Sequence, residues 1–455
     1  MKKKLLAGLL AVAMVATMFA GCGKKEEAKV INVMSFTDEI PKMVQQYLDM
    51  HPELGYTMNE TIVATTNGEY QPALDEMLKG DDAPDLYGLE AAFVLKYTQG
   101  DAAGFAATYD DLGIDTTKRL ADAKIATYAS EIGTRPADGK VVALPYQATG
   151  GCFIYRRSLA KDTWGTDDPA VISEKIGGGS QSWDQFWVAA AELKAKGYGI
   201  ISGDGDIWHA IENSSDSAWI VDGKLTLDPK REALLDISKM LKDNGWHNET
   251  QDWQDGWFAD MKGEGPQPIF GFFGPAWLIN YTMGDNCGND KETPEPEGTF
   301  GDWAVTNSPV GFCWGGTYIA SSKGAVEKMS DEKKQVVADI IEWITLDTDE
   351  NSLQYQWANG TFGGGDGSTK DTVASAVVME KSDGATGFLG GQNMFEYFVP
   401  AGDYATGRNM TQYDETINTC WREAVRAYVA GDVDRAGAIE KFKADVKSKL
   451  DIVVE

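Results

Sequence analysis

Apolar and polar positions alternate over Val30–Phe36, with Ile31, Val33 and Ser35 on one face, and the run turns at Thr37-Asp38-Glu39. That is the period of a half-buried strand. Ile40, Met43, Val44, Tyr47 and Leu48 then recur at helical spacing until Pro52 stops them. The rhythm repeats with a strand over Tyr56–Val63, a helix over Gln71–Leu78, a strand over Asp85–Leu89 and a helix from Glu90. Strands and helices alternating in this way predict a parallel sheet covered on its faces, with ligand-binding loops at the strands' carboxyl ends.

The apolar run Val141–Gln147 carries Pro145 and continues without a helix into a second strand, Cys152–Tyr155. Proline is a poor fit to one long central strand, so this stretch predicts a crossover from one sheet to another. The pattern restarts with a helix over Trp183–Lys196, a strand at Gly199–Ser202 and a helix over Lys230–Asn244. Ile269–Tyr281 is an apolar strand broken at Gly274-Pro275 and resumed as a helix with Trp277 in its first turn. Strands over Phe300–Thr306 and Val310–Ala320 suggest a second crossover, around Trp314-Gly315-Gly316. A helix over Asp331–Leu346, a loop over Gly360–Ser368 and a final helix over Asp414–Ala430 complete the chain. No internal repeat is evident.

At 455 residues the chain exceeds one compact core. The expected fold class is α/β with two lobes, each a mostly parallel sheet with flanking helices, joined by extended hinge crossovers. Residues 30–145 with 310–375 are expected to form the first lobe, and 146–309 with 376–455 the second.

Charge removes several functions. Seventy acidic residues against 41 basic ones give a net charge of −29, which argues against nucleic-acid partners and disfavours anionic substrates. Lys2-Lys3-Lys4 followed by the short apolar stretch Leu5–Phe19 reads as an export signal over residues 1–21. Ala20-Gly21-Cys22 resembles the lipobox of bacterial lipoproteins, which implies acylation of Cys22, residues 22–29 as a stalk, and a chain tethered to a membrane's outer face. Cys152, Cys287, Cys313 and Cys420 lack metal-site or disulfide-framework spacing, so buried thiols are expected, with one bridge left open.

The aromatic residues point towards carbohydrate. A pyranose offers an apolar C–H face and a rim of hydroxyls, so its site needs a flat platform together with Asp, Glu, Asn or Gln. Trp208, Trp277, Trp303 and Trp314 lie beside a glycine, a turn or a crossover and are the candidate platforms, while Trp253 and Trp257 could be core or site. Glu90 and Gln147 lead the polar candidates, followed by Asp38, Glu39, Glu212 and Asn393, and Tyr87 and Tyr146 could stack or donate a hydroxyl. The three histidines, His51, His209 and His247, form no zinc motif, and His209 reads as a hydrogen-bonded loop residue. No cofactor or metal is expected. A glycoside hydrolase with two facing carboxylates, or a receptor for another solute, remains the alternative.

Taken in order, Thr37-Asp38-Glu39, Ala83-Pro84-Asp85-Leu86-Tyr87, Ala143-Leu144-Pro145-Tyr146, Met261-Lys262-Gly263, Gly271–Trp277, Trp314-Gly315-Gly316 and Gly391-Gln392-Asn393-Met394-Phe395 resemble the family 1 extracellular solute-binding proteins. The resemblance covers nearly all of the chain after the signal. It implies a two-lobed, monomeric receptor that closes over a neutral sugar or oligosaccharide, performs no chemistry, and delivers its ligand to an ABC permease. Where maltose-binding protein of that family has Gly-Pro-Trp, this chain has Gly274-Pro275-Ala276 and places Trp277 one residue on, about 100° around the helix.

Overall fold

The computed structural model describes residues 29–288, 298–363 and 369–454. Two sheets organise it. In the first, Val30–Ser35 (β1) lies between Thr57–Ile62 (β2) and Leu86–Glu90 (β3), parallel to both. Ala143–Pro145 (β4) is the far edge, and the chain passes from it through residues 146–151 into Cys152–Arg156 (β5) of the second sheet. There Gly271–Gly274 (β6) and Trp303–Thr306 (β7) flank β5, both antiparallel. Residues 307–316 lead back to Thr317–Ala320 (β8), which lies antiparallel between β3 and β4.

The alternating side chains of each strand feed different cores. Ile31 and Val33 of β1 pack with Ile40, Met43, Val44, Tyr47 and Leu48 of the helix Glu39–Met50, and this cluster runs on to Ile154 and Phe272 of the second sheet. Phe153 and Tyr155, on the opposite face of β5, join Phe186, Trp208 and Trp421. Met34, Tyr87, Leu89 and Tyr318 hold the opposite face of the first sheet. Each fully buried Val, Leu, Ile, Met or Phe contributes about 1.5–3 kcal/mol before the entropy of ordering is subtracted.

The two-lobed α/β class holds, with corrections. The second sheet is antiparallel rather than mostly parallel, because strands buried on both faces carry no alternation that reveals direction. The expected strand Gly199–Ser202 is reduced to a bridge between Gly199 and Ile269. Only Thr317–Ala320 of the expected strand Val310–Ala320 is extended, since Gly315 and Gly316 take φ of +77° and +108° and bend the approach. Lys230–Asn244 is two helices, Pro229–Glu232 and Leu234–Asn244. Asp414–Ala430 is a helix but not the last one. Arg435–Lys449 follows it, capped by Asp434 and burying only a narrow Ala438, Phe442, Val446 stripe. Cys152, Cys287, Cys313 and Cys420 are buried free thiols. The export signal, Cys22, and residues 364–368 of the glycine-rich loop lie outside the described residues. No described helix is long and apolar enough to cross a membrane.

Candidate functional site

Ends of strands from both sheets converge on one cavity of about 460 Å³. β3 ends in Glu90, which pairs in register with Thr317 at the start of β8. Immediately before Thr317 the crossover Trp314-Gly315-Gly316 lines the same cavity. β6 ends at Gly274, and Pro275 leads into a helical segment that presents Trp277 and then Tyr281. Glu39 enters from the first turn of the helix after β1, Gln147 from the β4–β5 crossover, and Trp253 from the loop before the helix Asp255–Lys262.

The three tryptophans form a cluster. Trp277 and Trp314 meet edge to face, with centroids 4.7 Å apart and planes at 69°. Trp253 lies parallel to Trp277 within 9°, at 6.0 Å. It is 49% exposed and has φ of +66°, a left-handed conformation that a bulky residue adopts at a cost and that clusters at functional sites. Gly315 lets the crossover approach: a Cβ on it would lie 3.0 Å from Trp277 Nε1. His209 covers one side of Trp314, with ring centroids 4.2 Å apart and planes 21° from parallel.

Partly buried carboxyl groups surround this platform. Glu39 is raised by burial, against the opposing hydrogen bond donated by Tyr146 Oη. Burial pushes Glu90 up to about 7, opposed by a hydrogen bond to the Ala92 backbone and reinforced by the charge of Glu415. Gln147 Nε2 donates to Asp371 at 3.1 Å, which holds its amide at the cavity wall. Asp371 itself is pushed up to about 7 by burial, against the Thr372 and Gln147 hydrogen bonds.

On the far side of Trp314 a smaller cavity of about 120 Å³ lies between Glu90 and the first turn of Asp414–Ala430. His209 and Glu212, on one face of the helix Gly205–Asn213, line it with Asp414, Glu415 and Asn418. Burial would raise Glu212, yet His209, Asn418 and Arg231 together hold it below the usual carboxylate range. Asp414 is pushed up to about 7 by burial and by the Glu212 charge.

Of the residues expected from sequence, Glu39, Glu90, Gln147, Trp277 and Trp314 meet in the larger cavity, and Glu212 joins Glu90 and Trp314 in the smaller one. Tyr146 is buried behind Glu39. The others lie elsewhere. Trp208 is 1% exposed in the second-sheet core, because one helical step of about 100° turns it inward and His209 towards the cavity. His209 is thus helical, not a loop residue. Trp303 is fully buried on β7, its Nε1 donating to Thr299 Oγ1 at 3.1 Å. Tyr87 is fully buried in the first sheet. Asp38 is exposed and pairs with Lys42 at 2.6 Å. Asn393 closes its own loop by accepting from the backbone N–H groups of Gly384 and Phe395, each at 3.1 Å.

Tyr281 and Thr317 were not singled out by sequence, and Trp253, left open between core and site, lines the cavity. A tryptophan in a polar, glycine-containing stretch was the only signal for Trp253, and Asp414 and Glu415 look like ordinary acidic residues of a helix start. No group of three or more His, Cys, Asp or Glu among the described residues could hold a metal. A larger cavity, of about 650 Å³, lies between the 211–216 segment and the 404–409 segment, but it lacks the tryptophan cluster.

No protein-family model and no curated protein matches the sequence. Solved structures match over nearly the whole chain. An extracellular solute-binding protein of family 1 superposes with a TM-score of 0.71 at 16% identity, covering 92% of this chain and 99% of that one. The galacto-N-biose/lacto-N-biose I-binding protein of an ABC transporter from Bifidobacterium longum, in complex with lacto-N-biose, gives 0.62 at 16% identity over 95% and 100%. An ABC substrate-binding protein from Listeria monocytogenes, in complex with cycloalternan, gives 0.60 at 16% identity over 93% and 99%. At such identities the likeness is one of fold: the chain has the two-lobed, type II periplasmic-binding-protein-like architecture of these proteins.

Proposed function

We propose that this protein is an extracytoplasmic binding protein of an ABC importer, which captures a sugar or oligosaccharide between its lobes and hands it to a membrane permease. The observation that carries the reading is the Trp253–Trp277–Trp314 cluster bordering one cavity with Glu39, Glu90 and Gln147. An indole face takes the C–H face of a pyranose, while carboxylates and an amide accept and donate to its hydroxyls. The sugar-bound proteins of like fold support the choice of ligand.

In this reading residues 30–145 with 310–375 and residues 146–309 with 376–455 are the two lobes, hinged near 146–151 and 307–316. A ligand that touches both lobes favours the closed state by the contacts the open state lacks. Acylated Cys22 would keep the receptor beside the permease, and Cys22→Ala should release it from membranes. The carboxyl groups serve as hydrogen-bond partners and carry out no reaction. Calorimetric titration with a panel of oligosaccharides tests the function. Saturable binding without a change in the glycan supports it. Silence across the panel, or release of shortened glycan, would overturn it.

A further inference from the structure

The smaller cavity behind Trp314 holds an excess of unpaired acid. Among the described residues, neither Glu90, Asp414 nor Glu415 takes part in an ion pair. Asp414 is 7% exposed, with its Oδ1 accepting from Thr411 Oγ1 and its Oδ2 without any hydrogen-bond partner. An unpartnered carboxylate oxygen at that burial is costly, so the position is waiting for a donor.

The charges packed around it do not supply one. Glu212 faces His209 at 3.6 Å and accepts from Asn418 Nδ2. Arg422 is committed to Asp252, with Nη1 to Oδ2 at 3.0 Å. Arg231 lies over the Trp219 ring at 4.4 Å and donates to the Ser217 carbonyl at 2.9 Å. Three carboxyl groups, from the end of β3 and from the first turn of Asp414–Ala430, therefore border about 120 Å³; Arg231 acts on Asp414, and His209 and Arg422 on Glu415, only through their charge, and none of them forms an ion pair with these groups.

We propose that this cavity receives a protonated amine carried by the ligand, so that the captured carbohydrate is an amino sugar with a free amino group next to the ring seated on the tryptophan cluster. The inference rests on the carbohydrate reading of the larger cavity and replaces the expectation of a neutral sugar. An ammonium has three donors and no acceptor, which matches a site bordered by three carboxyl groups outside any ion pair. A neutral hydroxyl brings no charge that would favour the ionised form of these carboxyl groups. Burial, first, and then the neighbouring charges of Glu415 and Glu212 hold Glu90 and Asp414 up at about 7, so an incoming cation displaces protons from the pair. Glu415, at the exposed rim, is raised in the same direction by the protein crowding it and by Glu212.

The test is a calorimetric titration of the purified protein with matched sugars: glucosamine and galactosamine, their N-acetyl forms and their hydroxyl parents, each as monosaccharide and β-1,4 disaccharide. Charge-assisted hydrogen bonds predict that the amine form binds roughly ten- to a hundredfold more tightly at pH 7.5. The advantage should shrink several-fold at pH 5.5, where the carboxyl groups take up protons. Glu415→Gln, at an exposed position, should remove much of the preference, with Asp414→Asn as a second variant and melting temperature as the check on folding. Equal or tighter binding of the N-acetyl or hydroxyl forms, or binding confined to neutral oligosaccharides of the wider panel, overturns this inference and leaves the carbohydrate reading standing. Silence across both sets overturns both.

Discussion

The indole Nε1 of Trp277 donates to the backbone carbonyl oxygen of Trp314 at 2.9 Å, fastening the helix after β6 to the crossover before β8. The bond exists because Trp277, rather than Ala276, faces the crossover: Ala276 is fully buried in the core while Trp277 is partly exposed at the cavity. The one-residue offset from the Gly-Pro-Trp pattern thus redirects the ring and does not remove it from the site.

Gly315 makes that bond possible, so Gly315→Ala should damage stability and binding together. A side chain there adds a left-handed penalty of about 1–2 kcal/mol and presses on Trp277. A lower melting temperature with weakened sugar binding is expected, and a variant with unchanged affinity would separate the cluster from the site.

Trp303 gives the opposite split. It is fully buried, and Trp303→Ala should cost about 3–5 kcal/mol in chemical unfolding. Sugar affinity of the folded fraction should stay within a few-fold of wild type, because the ring does not line the cavity.

Stability should fall with rising pH. Burial, before any hydrogen-bond or charge effect, holds Glu90, Asp206, Asp371 and Asp414 at about 7, whereas in the unfolded chain they titrate near about 4. The folded state therefore binds more protons between these values. The contribution of these groups is fully present below about pH 4 and is lost as pH rises through about 7. Glu212 and Asp252, held low after burial is outweighed by their His209 and Arg422 partners, work the other way and lose their contribution on acidification. Melting temperatures of the ligand-free protein from pH 5 to 8 should decline, and Asp371→Asn should flatten the slope.

Much of this was legible in the chain. The period-2 and period-3.6 patterns of Val30–Met50 placed β1 and its helix correctly, since each buries one face. The two crossovers were legible because Pro145 and Gly315-Gly316 interrupt apolar runs. Side-chain direction in short helices was not: Trp208 looked like a platform and proved to be core, while its neighbour His209 reached the cavity. The Asp414 and Glu415 pair was hidden because acidic residues in a first helical turn usually need no explanation beyond the helix dipole. Only the tertiary approach of β3 gives them another meaning.

The central claim, that a sugar lies on the tryptophan cluster, is tested most directly by titrating the oligosaccharide and amino-sugar sets into wild type and Trp253→Ala side by side. Trp253 is half exposed, so its removal should change the melting temperature little. The account requires saturable binding by wild type and a loss of about 1–2 kcal/mol, roughly tenfold, in the variant. Equal affinities for a bound sugar would place it elsewhere and contradict the account.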